Sequence, residues 1–145
     1  MLDTRFPRIV GDIGNAASFD FPVIFRRMDG IGSADAVTAH PDRPRVLAAL
    51  RANAEALAAE GAVGLSTSCG FLALYQDDLS AVSPVPVATS ALLLIKQIKG
   101  KRIGVITASA RNLGQAHFAA VGAPVDTPFV GLPEDSSFAA TFLKN

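Results

Sequence analysis

The chain has 145 residues, half of them hydrophobic and only 18% charged. That length predicts one domain, and the composition excludes global disorder, because such a chain can bury a core. Thirteen basic residues balance thirteen acidic ones, so there is no surplus of positive charge for a phosphate backbone or an anionic membrane surface, and no nucleic-acid or membrane partner is expected.

Residues 8–20 carry Gly11, Gly14 and Asn15 without a helical period. They predict a long loop, which in a compact domain is more often functional than decorative. Residues 21–27, with Phe21, Val23 and Phe25 on one face, predict a strand, and Arg26 and Arg27 end it as a solvated edge. Asp42 and Pro44 then mark a helix start. Val46, Leu47, Leu50, Ala54, Leu57 and Ala58 follow a 3.6-residue period, and Gly61 stands where a left-handed terminator belongs. A short strand over 62–67, a turn at 68–70 and a helix over 71–79 come next. The same unit follows again. Residues 85–88 predict a strand kept short or at an edge by Pro86. Ser90 caps a helix to Ile98, which Gly100 ends. Residues 102–107 predict a strand, and Ser109 caps a helix that runs to Val121 and ends at Gly122. Residues 125–130 predict a last strand. This alternation predicts an α/β fold, a three-layer sandwich with a parallel sheet between helices.

In such sheets ligands bind at the carboxyl ends of the strands. Those ends are Ser66 to Gly70, then Thr89 and Ser90, then Thr107, Ala108 and Ser109. Three strands thus deliver hydroxyls just ahead of helix N-termini, a setting that suits an anion. Simple helix capping is the competing reading for Ser90 and Ser109. Cys69 is the sole cysteine. It can form neither an internal disulfide nor a multi-cysteine zinc site. At a strand-to-helix junction its thiol pKa is expected to be lowered, and Gly70 leaves its approach open. A buried, inert thiol is the alternative. An unpaired thiol, with no signal peptide and no apolar run long enough to span a bilayer, predicts a cytoplasmic location. His40 reads as a solvated loop residue and His117 as a partly buried structural one, so no metal site is expected.

Three separated motifs carry a resemblance. Leu2-Asp3-Thr4-Arg5-Phe6-Pro7-Arg8, Gly11-Asp12-Ile13-Gly14-Asn15 and Thr67-Ser68-Cys69-Gly70-Phe71-Leu72-Ala73 together resemble the aspartate/glutamate racemase superfamily, specifically its branch with G-D-I-G-N and T-S-C-G-F-L-A motifs. The resemblance implies a cofactor-independent protein of two facing α/β lobes. Residues 1–100 would be the first lobe, its first strand clipped, and 101–145 the incomplete beginning of the second. It implies that Cys69 is the thiolate acid/base at the α-carbon of an amino acid or related carboxylic acid. Asn15, Thr67, Ser68, Gly70, Thr107 and Ser109 would bind that substrate, and Asp3 would modulate the thiol. The expected activity is that of a racemase or isomerase. Two departures stand against it: Gly70 and Phe71 replace the asparagine and threonine that commonly follow the cysteine, and the second cysteine is missing. The alternatives are a non-catalytic, truncated carboxylate-binding remnant and a one-cysteine lyase like the decarboxylases of the same superfamily. A missing second lobe would leave an apolar face bare, so a homo-oligomer is expected.

Overall fold

A computed structural model describes residues 1–143; positions 144 and 145, the end of the expected second lobe, lie outside the described residues. The chain starts extended. Leu2 forms a single parallel bridge with Met28; the Met28 amide donates to Met1 O and the Asp3 amide to Ile31 O, both at 2.8 Å. The strand expected over 21–27 does not form. Apolar alternation makes a strand only where a neighbouring strand and a core lie beside it, and Phe21 is instead 59% exposed while the buried Met28 reaches the core.

Beyond a one-turn helix, α1 (Ser33–Ala36), lies α2 (Arg43–Ala59). It begins where the sequence predicts. The Asp42 carboxylate accepts from the Arg45 amide at 3.1 Å, and Pro44 sits in the first turn, where its missing N–H costs nothing. Val46, Leu50 and Ala54, one turn apart, are its buried line and pack with Leu72, Tyr75 and Leu79. Gly61 follows with φ +93°, the left-handed residue that ends the helix.

Four short parallel strands follow in two pairs. β1 (Leu65–Ser66) pairs with β2 (Val87–Ala88), and β3 (Val105–Thr107) pairs with β4 (Phe129–Gly131). The fold is therefore mixed α/β with parallel pairing, but the described strands make two separate ladders in place of one continuous sheet. Each is also shorter than its sequence pattern suggests. Pro86 and Pro128 stand immediately before β2 and β4. They accept from Leu65 and Val105 at 2.9 and 3.0 Å, yet with no N–H of their own they cannot extend the ladder backwards.

The connections wind tightly. A 3₁₀ helix, Gly70–Tyr75, runs directly into α3 (Gln76–Ser80), and a second 3₁₀ helix, Ala91–Lys96, follows β2. Ser90 caps that second helix, its Oγ accepting from the Leu92 amide at 3.1 Å. Ser109 is not a cap. The helix expected from it starts only at Gln115, as α4 (Gln115–Ala120), with Gly114 at its N-cap. The intervening chain is pressed against the end of β4: a methyl on Gly131 would lie 2.5 Å from the Ala110 nitrogen. A last helix, α5 (Ser137–Phe142), is capped by Ser136. No helix among the described residues is long and apolar enough to cross a membrane.

Two hydrophobic clusters result. One joins α2 to Leu72, Tyr75 and Leu79; the other joins Phe71, Leu92, Leu113 and Phe118. Cys69 packs against both.

Candidate active site around Cys69

Thr67 follows the first ladder and builds the turn that carries the thiol. Its Oγ1 donates to Thr89 O at 2.7 Å, has Cys69 O at 3.1 Å and accepts from the Cys69 amide at 3.4 Å. The turn is thereby tied to the end of β2. Thr89 is held in turn by Gln76, whose Oε1 accepts from the Thr89 amide and hydroxyl at 2.9 and 2.7 Å. Cys69 itself has an extended backbone and caps the 3₁₀ helix Gly70–Tyr75. A Cβ on Gly70 would lie 3.5 Å from Ser90 Oγ, so the two strand-end turns approach each other here.

Over these turns opens a cavity of about 520 Å³, within the roughly 300–1,000 Å³ usual for small-ligand sites. Ser68, Cys69, Gly70 and Thr107, all expected in the site, line it together, and Ser90 joins them. Most of the remaining wall is apolar. The other expected residues stand elsewhere. Asn15 is engaged within its loop, its Nδ2 donating to Arg8 O at 2.7 Å and its Oδ1 accepting from the Ala17 amide at 2.9 Å. Thr67 holds the turn from beneath. Asp3 accepts from the Gly30 amide at 3.0 Å and faces Arg27 at 3.4 Å. Ser109 is buried and lines a separate cavity of about 560 Å³ beside His40, Arg111 and Glu134.

Beyond Ser90, four polar residues of the cavity are not among the expected site residues: Thr4, Arg8, Asp12 and Ser33. Among the described lining residues Arg8 and Asp12 carry the only charges. Their signal was present, because Leu2, Thr4, Phe6 and Arg8 alternate along the chain and all four line the cavity, the period of an extended segment.

The expectation of a lowered thiol pKa is corrected. Burial pushes the Cys69 thiol above its ordinary value, and the backbone N–H groups of Phe71 and Leu72 pull the other way without overcoming it. The physical reason is the short 3₁₀ segment that follows. Few peptide dipoles align behind the sulfur, so the field that would stabilise a thiolate is weak beside the loss of water. At neutral pH the group is a thiol; once ionised it is a stronger base than an ordinary thiolate.

His117 is 3% exposed, more deeply buried than expected. Its Nδ1 accepts from the Gly114 amide at 3.2 Å and its ring meets Phe71 edge-on at 5.2 Å. Nε2 has no hydrogen-bond partner among the described residues, and burial lowers the pKa. No group of three His, Cys, Asp or Glu side chains that could hold a metal ion occurs among the described residues.

Comparison with curated proteins finds similarity to a dimethylsulfoniopropionate lyase of Durusdinium sp. clade D, 26% identical over 122 residues. The match covers 80% of this chain and 40% of that relative, so the chain spans less than half of the relative's length. No protein-family model and no solved structure matches the chain significantly. The similarity corrects the expected racemase or isomerase activity and its associated classification: the relative found is a lyase.

Proposed function

We propose that this chain is the cysteine-bearing part of a lyase that eliminates a leaving group from the β-carbon of a small carboxylate. The observation that carries the reading is Cys69, a single thiol lining a largely apolar cavity; the similarity to a dimethylsulfoniopropionate lyase supports it. Elimination needs a base on one face only. The Cys69 thiolate takes the hydrogen α to the carboxylate as a proton. The C–H electron pair becomes the new carbon–carbon double bond, and the β-carbon–sulfur bond breaks with its pair on sulfur. From dimethylsulfoniopropionate this gives dimethyl sulfide, acrylate and a neutral thiol. The thiol then returns its proton to solvent.

In this proposal the aspartate/glutamate racemase superfamily supplies the architecture, a three-layer lobe with the cysteine at a strand-end turn, while elimination replaces inversion. The reaction as written consumes no cofactor. A reduced thiol fits a cytoplasmic location. Self-association through the β3–β4 face, where Ile106 and Val130 stand in register and are 76% and 61% exposed, completes the proposal. Light scattering at micromolar concentration tests that last part, and a monomer refutes it.

The central test is to incubate the chain with dimethylsulfoniopropionate and measure acrylate and dimethyl sulfide. The expected result is release that rises with pH beyond the ordinary thiol value of ~8.5, because ionisation of Cys69 is held above it. A chain that releases neither product, or a Cys69→Ser variant that releases both at the parent rate, overturns the reading.

A further inference from the structure

Resting on the lyase reading, we infer that Arg8 is the residue that takes the substrate carboxylate, and that its pairing with Asp12 tunes the cavity to a zwitterion rather than to a plain anion. Residues 8–18 form a loop that ends in a one-turn 3₁₀ helix, Ala16–Ser18, and its internal bonds converge on these two residues. Asp12 Oδ1 accepts from the Gly14 amide at 2.6 Å, and Asp12 O accepts from Ser18 Oγ at 2.7 Å. Asn15 Nδ2 donates to the backbone oxygen of Arg8. A methyl on Gly14 would meet Arg8 Cδ and Asp12 Oδ1 at 3.0 Å each, so the glycine makes room for the arginine stem. The backbone is thus secured by Asp12 and Asn15. The guanidinium is left to face the cavity.

Its geometry there suits a carboxylate. Nη1 donates to Asp12 at 3.0 Å and Nη2 to Thr4 Oγ1 at 3.0 Å. Each of those nitrogens carries a second N–H, and the planar fork matches a carboxylate's two oxygens. The guanidinium carbon lies over the Phe6 ring, 4.2 Å from its centroid, and with the two hydrogen bonds this holds the group in place, so little freedom is lost on binding. Its side chain is 19% exposed and that of Asp12 20%, enough for a ligand in the cavity to reach both. The pair adds no net charge to a wall otherwise uncharged among the described residues. A monoanion entering it leaves the cavity negative. A zwitterion leaves it neutral, its cationic end drawn toward Asp12.

The test uses the Cys69→Ser chain, so that binding is read without turnover, and calorimetric dissociation constants for dimethylsulfoniopropionate and propionate. Arg8→Gln is expected to weaken both ligands at least tenfold. Asp12→Asn is expected to weaken the zwitterion and tighten propionate, a reversal that a purely structural role for the pair would not give. Arg8→Lys, which keeps the charge and loses the fork, is expected to bind three- to tenfold more weakly, and it serves as the readout if Arg8→Gln loses its circular-dichroism signature. Affinity within twofold of the parent in Arg8→Gln, or in Arg8→Lys where that is the folded variant, overturns the inference, as does Asp12→Asn shifting both ligands the same way. Arg8-dependent binding with no elimination by the parent chain would retire the lyase and keep the carboxylate anchor; elimination without Arg8 dependence would do the reverse.

Discussion

The two ladders start alike and end differently. Gly64 and Gly104 each precede the first strand of a pair, with the position of their missing Cβ facing a proline carbonyl, 3.8 Å from Pro86 O and 3.7 Å from Pro128 O. Leu65 and Val105 each donate to that proline, and Thr67 and Thr107 stand at equivalent places two residues on. By the same register Ser109 corresponds to Cys69. Beyond the threonines the units part. After Cys69 the chain coils at once, through Gly70, and the thiol stays over the shared cavity. After Ser109 it is pressed against Gly131 and winds into α4 only at Gln115. The hydroxyl is carried to the second cavity instead. The strand end does not by itself place a reactive group; the first turn of chain after it decides which cavity the side chain enters.

That contrast can be broken at several points. Cys69→Ser is expected to lower acrylate release by roughly 10²- to 10⁴-fold, the scale of a lost general base, while Ser109→Ala alters it less than threefold. A strong effect at Ser109 would mean that the two turns act on one substrate. Gly131→Ala is expected to destabilise by about 1–3 kcal/mol in urea titration, since the new methyl has backbone at 2.5 Å. Gly70→Ala, whose methyl makes only ordinary contact with Ser90 Oγ, should stay within ~0.5 kcal/mol. Equal costs would show that the second turn yields as easily as the first.

His117 tests the seam between the units, because it belongs to α4 and packs on Phe71 of the first unit. Burial lowers its pKa, so the folded chain favours the neutral ring. Its contribution to stability is complete above the unfolded value of ~6.5 and is lost as pH falls through the lower folded value. Between those two values stability should therefore decline on acidification, with a slope of up to about 1.4 kcal/mol per pH unit from this group. A His117→Phe chain should lack that part of the slope in denaturant titrations run across the same pH range. A small effect is expected at Tyr75, whose buried hydroxyl has no hydrogen-bond partner among the described residues. Tyr75→Phe should be neutral or gain up to ~1 kcal/mol in thermal unfolding, because the ring and its contact with Arg43 at 5.1 Å remain.

Much of the first unit was legible in local sequence. The cap at Asp42, the buried line Val46–Leu50–Ala54, the terminator Gly61 and the turn at Cys69 all follow from rules that act within one or two helical turns. The failures share a different character. The alternation of residues 21–27 looked like a strand, but a strand requires a neighbour, and that neighbour is set by the rest of the fold. Ser109 had the residue type of a cap, yet the chain after it, pressed against Gly131 from far along the sequence, makes one turn closed by the Leu113 amide to Ser109 O at 3.2 Å and does not continue into a helix until Gln115. Asn15 was expected to contact the ligand, and it holds Arg8 instead.

The sequence by itself determined the parallel α/β alternation, the long helix, and the presence of one thiol at a strand end near glycine. Those are local properties, written in periodicity, caps and turns. Only the tertiary structure decided which strand ends share a cavity, that Arg8 and Asp12 join Cys69 there, and that the thiol pKa rises rather than falls. Cavity membership and solvation depend on chain segments that meet across long sequence separations. A helix-end rule weighs the local dipole and cannot weigh the water that packing has removed.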